Sequence, residues 1–432
     1  MGQVAAGALD PGPSAEEEDA ILDGLFSFID RRIVPMQEKL RAYFEDSRLY
    51  FDESGHEAQA IADARRQVRI ESAEAGYYNL FTPVELGGSG LSKRFMVRVT
   101  EAVSRRYGPG EPREHLATGV VPDVFVGPGP IWLQAQPELR EELAPKLLSG
   151  EIRSSFALSE PDAGSDNWNM RTTAVRADDG TGDWVINGQK QWTSWVKEAD
   201  FLFVFAVTDP GLRDAHQGGI TCFYVPTDTP GYELSSVVRL FNDPGGREGI
   251  LSFTDVRVPD AWRIGEVDQG FKAAFATLGT TRLWLAARCL GEAYWAYDRC
   301  LEYAKTRRTF GRPIAEHQLI QGLLADMAVD LYSGHAVTMD CAARADAGMD
   351  VRAETAMVKY HGTNAANRVF DKAIQIHGGM GFATETRLTD GWRFTRICRM
   401  TEGSDQIMQR SIAAQMLKGG LPDWGGHVPG AL

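Results

Sequence analysis

The sequence predicts an α+β protein in three parts: an N-terminal α-helical domain, a middle β-sandwich or barrel domain, and a C-terminal four-helix bundle. Three observations lead there. Residues from about 16 to 150 carry apolar side chains at helical spacing. Residues from about 152 to 263 change to short alternating runs separated by Pro, Gly and Asp. From about 268 onward helical spacing returns in longer stretches, enough for four packed helices.

Each element has its own signal. The opening segment, MGQVAAGALDPGPSA, reads as a disordered lead-in, and it has neither the basic nor the apolar region of a secretory signal. In AILDGLFSFIDRRIVPMQEKL, residues Ile21, Leu22, Leu25, Phe26, Phe28, Ile29 and Ile33 recur at helical spacing, and LREELAPKLLSGE is a second, short helix closing on Gly150. TTAVRADDGTGDWVINGQKQW is two alternating runs around a Gly/Asp turn, a hairpin signal, and FLFVFAVTD, GGITCFYVPTD and ILSFTDVRV follow as strands. One apolar stripe runs through Ala286, Cys289, Leu290, Ala293, Tyr297, Cys300 and Ala304; another runs from Leu319 to Leu331. With Ala353–Ile376 and Ile407–Leu417 they make the four helices. The expected limits are 1–15 for the lead-in, 16–151, 152–265 and 266–420 for the three domains, and 421–432 for a tail.

Composition narrows the function classes. A length of 432 residues implies more than one core. No run approaches the ~18 apolar residues of a transmembrane helix. The net charge of −14 argues against general affinity for nucleic acid or anionic membrane. Five scattered cysteines, never in CxxC spacing, fit a reduced, cytoplasmic protein, and no histidine or cysteine pattern suits a metal site.

Taken singly, the local motifs leave alternatives open. KTRRTFGR (Lys305 to Arg312) is a solvated helix end or a phosphate site. IHGGMGF lacks a preceding strand and reads as a turn after a helix. SEPDAGSD (Ser159 to Asp166) is a loop whose backbone N–H groups could face an anion. In CRMTEGSDQIMQR, Glu402 is either a solvated loop residue or a base held in an apolar pocket, with Gly403 as a turn and Ser404 as a helix N-cap.

In combination they say more. FALSEPDAGSD, GQKQWTS, RRTFGRPIAEHQ, IQIHGGMGF and TEGSDQIMQ occur in this order within an α-β-α chain, from about residue 20 to 418. That set resembles the acyl-CoA dehydrogenase family of flavoproteins. The resemblance implies FAD as cofactor, an acyl-CoA substrate, an electron-transfer flavoprotein as partner, and a homo-oligomer, tetramer or dimer, with its FAD site at a subunit interface. It places Leu158, Ser159, Gly164, Ser165, Trp192 and Ser194 at the flavin. Arg307, Phe310, Gln318, Gln375, Gly378 and Gly379 fall in segments that reach the FAD of the adjacent subunit, and Ser404 and Gln406 also fall on cofactor contacts. Ser165, Thr281, Arg282, Thr401 and Gly403 are implied at the substrate.

Glu402 matches the family's catalytic base, which takes the α-proton of the thioester while a hydride passes from Cβ to the flavin, leaving a trans-2-enoyl thioester. Some relatives carry the base on the helix expected to begin near Leu278, but no acid lies between Ala276 and Gly291 here. Four departures surround the site: Gly279 where the family commonly has Asp, Thr401 where an aromatic is usual, Thr193 for Ile, and TRICRM before the base. They point to an unusual acyl group or carrier. Alternatives of the same fold are an acyl-CoA oxidase or related O2-using flavoenzyme, and a dehydrogenase of carrier-protein-tethered acyl groups; a non-catalytic scaffold is the alternative outside catalysis.

Overall fold

A computed structural model describes residues 13–109, 115–123, 125–241, 244–420 and Trp424. The expected lead-in up to position 12, and the expected tail apart from Trp424, lie outside the described residues. The chain runs helices, then strands, then helices. No helix among the described residues is long and apolar enough to cross a membrane.

The first part holds α1 (Ala15–Phe28), α2 (Gln59–Glu74), α3 (Lys93–Tyr107) and α4 (Pro137–Leu148). Ser14 starts α1 with a reciprocal cap: its hydroxyl accepts from Glu17 N while Glu17 accepts from Ser14 N at 2.8 Å. The expected apolar face is real. Leu25, Ile29 and Ile33 are fully buried against Phe95 and Val99 of α3, in a core that also takes Ile61 and Val68 of α2.

The strands β1 (Ser154–Ala157), β2 (Thr173–Arg176), β3 (Trp184–Ser194), β4 (Phe201–Val207), β5 (Ile220–Pro226), β6 (Tyr232–Val237), β7 (Glu248–Val258) and β8 (Arg263–Ile264) form one sheet. The order is β6-β7-β3-β2-β4-β5-β8, with β1 added in parallel beside β4. Hydrogen bonding leaves β6 and β8 as the ends of this path, so the ladder does not close on itself. Strand β4 is buried on both faces, which explains its unbroken apolar sequence. Its Phe201, Phe203 and Phe205 pack against Trp132 and the α4 leucines, whereas Leu202, Val204 and Ala206 fill the other face. The sheet is thereby welded to the N-terminal helices.

The third part holds α5 (Gly270–Thr306), α6 (Gln318–Asp346), α7 (Arg352–His377), α8 (Leu388–Cys398) and α9 (Asp405–Gly419). Two expectations need correcting. Helix α5 starts at Gly270, not near Leu278, because its first turn docks on β5: a Cβ on Gly270 would stand 2.9 Å from Cys222 N. Helix α8 is a fifth helix that the spacing did not predict, because the stretch is short and interrupted by Gly391 and by Arg393 and Arg396. Gly391 is there for contact. A Cβ at this position would sit 2.1 Å from the buried ring of Phe370 on α7, so only glycine lets the two helices approach this closely.

Gly391→Ala is therefore expected to lower unfolding stability by about 3 kcal/mol through overpacking, read from the denaturant midpoint. An unchanged midpoint would show that α8 does not lean on Phe370.

Candidate active site

The junction of α8 and α9 is a tight double reversal. Glu402 and Gly403 follow one another in the left-handed region, at φ +56° and +98°. Gly403 is required twice over, because a Cβ there would also meet Met408 Cε at 2.6 Å. Ser404 then caps α9, its hydroxyl accepting from Ile407 N at 3.4 Å. Two cations from the bundle hold the turn by its carbonyls. Arg282 Nε of α5 donates to Glu402 O at 3.2 Å, and Lys359 Nζ of α7 donates to Gly403 O at 2.6 Å.

With its backbone fixed, Glu402 directs its carboxyl inward. The residue as a whole is only part-buried, but Oε2 is shut off from solvent and has no hydrogen-bond partner. Burial, with a smaller push from the charge of Asp123, raises this carboxyl to about 8, against the pull of Arg282 and Lys359. The group is mostly protonated at pH 7, and a pKa this close to the working pH is what makes its ionised form an effective base.

Glu402 lines a cavity of about 170 Å³ where the three parts of the chain meet. The bundle supplies Thr401, Trp284, Leu285 and Phe394; the N-terminal part supplies Leu116, Thr118 and Asp123; the sheet supplies Ser194, Trp195 and Glu248. Of the residues expected at the site, Thr401 and Ser194 line the same cavity as Glu402. The only acid of α5 close to this stretch, Glu292, is fully buried and accepts from Arg288 Nε at 3.2 Å rather than lining the cavity.

The C-terminal end of β1 forms a second set. Leu158 and Ser159 are part-buried; Gln191 N donates to Ser159 O at 2.9 Å, and the fully buried Lys190 Nζ donates to Leu158 O at 3.0 Å and to Glu160 at 2.8 Å. A bulge between Gln191 and Thr193 turns Trp192 to positive φ and leaves its indole half exposed. Ser155 Oγ donates to Ser194 O and ties β1 to this bulge. In the loop after β1, Gly164 and Ser165 are exposed, and a Cβ on Gly164 would meet nothing within 4 Å.

These features fit a planar cofactor. The end of β3 offers an outward-turned indole and an orphaned buried hydroxyl on Thr193, and the loop after β1 offers an open glycine backbone. Other expected residues lie away from Glu402. Arg307, Phe310 and Gln318 are exposed around the α5–α6 connection, Phe310 at 96%, and Gln375, Gly378 and Gly379 are exposed at the end of α7. None of them lines the cavity. Gln406 is exposed on the first turn of α9. Thr281 is buried, and its hydroxyl donates to Thr277 O of its own helix, so it does not reach the cavity.

Several residues escaped the sequence reading. Lys359 could have been suspected, as a lone lysine inside the apolar stretch of α7. Asp123, Tyr78, Arg69 and Arg153 could not, because only the tertiary fold brings them to Glu402.

The comparisons agree with this architecture. The profile described as "Acyl-CoA dehydrogenase, middle domain" matches residues 155–255, and "Acyl-CoA dehydrogenase, C-terminal domain" matches 268–417. The human mitochondrial short-chain specific acyl-CoA dehydrogenase is 35% identical over 345 residues, covering 79% of this chain and 80% of the relative. The caffeyl-CoA reductase-Etf complex subunit CarC of Acetobacterium woodii is 31% identical, covering 85% and 92%. The solved butyryl-CoA dehydrogenase of Megasphaera elsdenii superposes with a TM-score of 0.79 at 25% identity, covering 94% of this chain and 99% of that one. Two matched domains, relatives along most of the chain and a shared fold lead to one conclusion: the chain belongs to the acyl-CoA dehydrogenase family.

Proposed function

We propose that the protein is an FAD-dependent enzyme that α,β-dehydrogenates an acyl-CoA thioester to the trans-2-enoyl thioester, with Glu402 as the α-proton base. The observation that carries this reading is the buried, unpartnered carboxyl of Glu402 on a rigid turn, raised to about 8. The thioester Cα–H is a weak acid, and a desolvated carboxylate is a stronger base than one in water. Arg282 and Lys359 spend their hydrogen bonds on backbone carbonyls, so the turn is fixed while the carboxyl keeps its basicity. Residues Thr401, Trp284 and Leu285 beside it exclude water from the acyl group.

Bound FAD supplies the acceptor for the β-hydride. Leu158, Ser159, Trp192 and Ser194 would hold its ring, with Gly164, Ser165, Ser404 and Gln406 around it. Arg307, Phe310, Gln318, Gln375, Gly378 and Gly379 would reach the FAD of a neighbouring subunit in a homo-oligomer, a role supported by their exposure away from this chain's own cavity. Arg282, Thr401 and Gly403 belong to the substrate side. Electrons would leave through an electron-transfer flavoprotein; the relative CarC is named as part of a reductase-Etf complex. That name also favours a second reading, in which the enzyme runs in reverse as an enoyl-CoA reductase and Glu402 returns the α-proton.

Two outcomes are expected. Glu402→Gln slows anaerobic flavin bleaching by acyl-CoA about 10³-fold while FAD stays bound, and the wild-type kcat/KM rises with pH to a plateau above about 8. Bleaching at the wild-type rate by this variant would remove Glu402 as base.

The same shift bears on stability. An unfolded Glu ionises near ~4.3, whereas the folded group stays protonated to about 8. The favourable contribution of the protonated carboxyl is complete below the unfolded value and is lost as pH rises through the folded one. Glu402→Gln should therefore match wild type in thermal stability near pH 4 and exceed it by several degrees at pH 8. An equal or lower melting temperature at pH 8 would contradict the buried neutral acid.

A further inference from the structure

Beyond Glu402, the cavity has a wall whose chemistry an ordinary fatty acyl chain does not use. Tyr78, Arg69 and Arg153 line it, together with Trp195 and Arg65. Arg69 and Arg153 share one carboxylate oxygen, Glu198 Oε2, at 3.1 and 2.8 Å, and the Arg153 guanidinium lies over the Trp195 ring at 4.4 Å. Some buried polar atoms of this wall have no hydrogen-bond partner, Glu198 Oε1 on the shared carboxylate among them. Tyr78 Oη and Arg153 Nε are buried in residues only 2% and 7% exposed, and neither has a hydrogen-bond partner. Arg69, Arg153 and, with opposite sign, Asp200 lie close enough to Tyr78 for their charges to act on its hydroxyl, and Tyr78, Arg69 and Arg153 line one recess.

A buried donor without an acceptor is destabilising. Two such donors beside the Arg69–Arg153–Glu198 cluster make a recess that lacks an acceptor. An alkyl terminus placed there would keep both donors unsatisfied and would add the cost of desolvating the arginines. A carboxylate would accept from Tyr78 Oη and Arg153 Nε and would share the charge of Arg69. The roomier neighbourhood left by Thr401 in the same cavity is consistent with an acyl group longer or more polar than a short straight chain.

We propose that the acyl pocket is built for an acyl-CoA whose chain ends in a carboxylate, and that Tyr78, Arg69 and Arg153 bind that terminus. This specificity rests on the thioester reading given above, and the test keeps the two apart. Binding is measured by flavin spectral perturbation in the Glu402→Gln holoenzyme, where turnover does not interfere. The probes are matched series of ω-carboxyl, ω-amide and ω-methyl acyl-CoA thioesters of increasing length.

The expected result is a Kd about 100-fold lower for the ω-carboxyl thioester than for the ω-methyl one at the best length, with the amide near the methyl. Adding Tyr78→Phe, which removes only the unpartnered hydroxyl, should cut that ratio about tenfold; the same variant with an unchanged melting temperature rules out a folding effect. Equal or tighter binding of the methyl series at every length overturns the proposal, as does an amide that binds as well as the carboxylate. Absence of binding by all three series does the same. If wild type fails to bleach with any thioester while the binding ratio holds, the dehydrogenation reading falls and the recess stands.

Discussion

Two cations gripping consecutive carbonyls set the geometry on which the site depends. Arg282 of α5 and Lys359 of α7 donate to Glu402 O and Gly403 O, at a turn whose two residues both have positive φ. Through these two side chains α5 and α7 fix the reversal between α8 and α9. A non-glycine residue at positive φ, as Glu402 is, persists only where its surroundings over-determine it. Here the surroundings are two hydrogen bonds, the Ser404 cap and the 2.9 Å ion pair of Arg399 with Asp405.

The division of labour matters electrostatically. A lysine or arginine pairing directly with a carboxylate would hold it ionised and weaken it as a base. In this protein both cations spend hydrogen bonds on main-chain oxygens, so their charges only partly oppose the burial of the carboxyl. The same principle, read in reverse, marks the Tyr78–Arg69–Arg153 wall. There Arg69 and Arg153 share Glu198, which Arg65 also approaches, and burial depresses Arg153, with Glu198 opposing and Arg69 adding to the effect. One cavity thus pairs a neutral acid with a recess of paired arginines and two unpartnered donors.

Much of this was legible in the sequence. Helical spacing marked α1, α6 and α7, and alternation around a Gly/Asp turn marked the β2–β3 hairpin, because each segment carries its own periodicity. Glu402 could be singled out only through the resemblance of the ordered motif set, since read locally it is as easily a solvated loop residue. The limits of α5 and the existence of α8 were not legible. Gly270 and Gly391 look like breaks in one dimension, yet each is a point of close approach to β5 or to Phe370. The recess was invisible for a different reason. Arg69 on α2, Tyr78 in the loop after it and Arg153 before β1 share no motif, and only the packing of N-terminal helices on the sheet brings them together.

The site turns on Glu402 being a buried carboxylic acid, protonated at neutral pH. Infrared difference spectroscopy between the wild-type and Glu402→Gln holoenzymes reads this directly, because a protonated carboxyl has a C=O stretch that a carboxylate and an amide lack. The account predicts one such band at pH 6 that fades as pH rises, with its midpoint near about 8. Absence of the band at pH 6, or its loss near the pH of an ordinary glutamate, would contradict it.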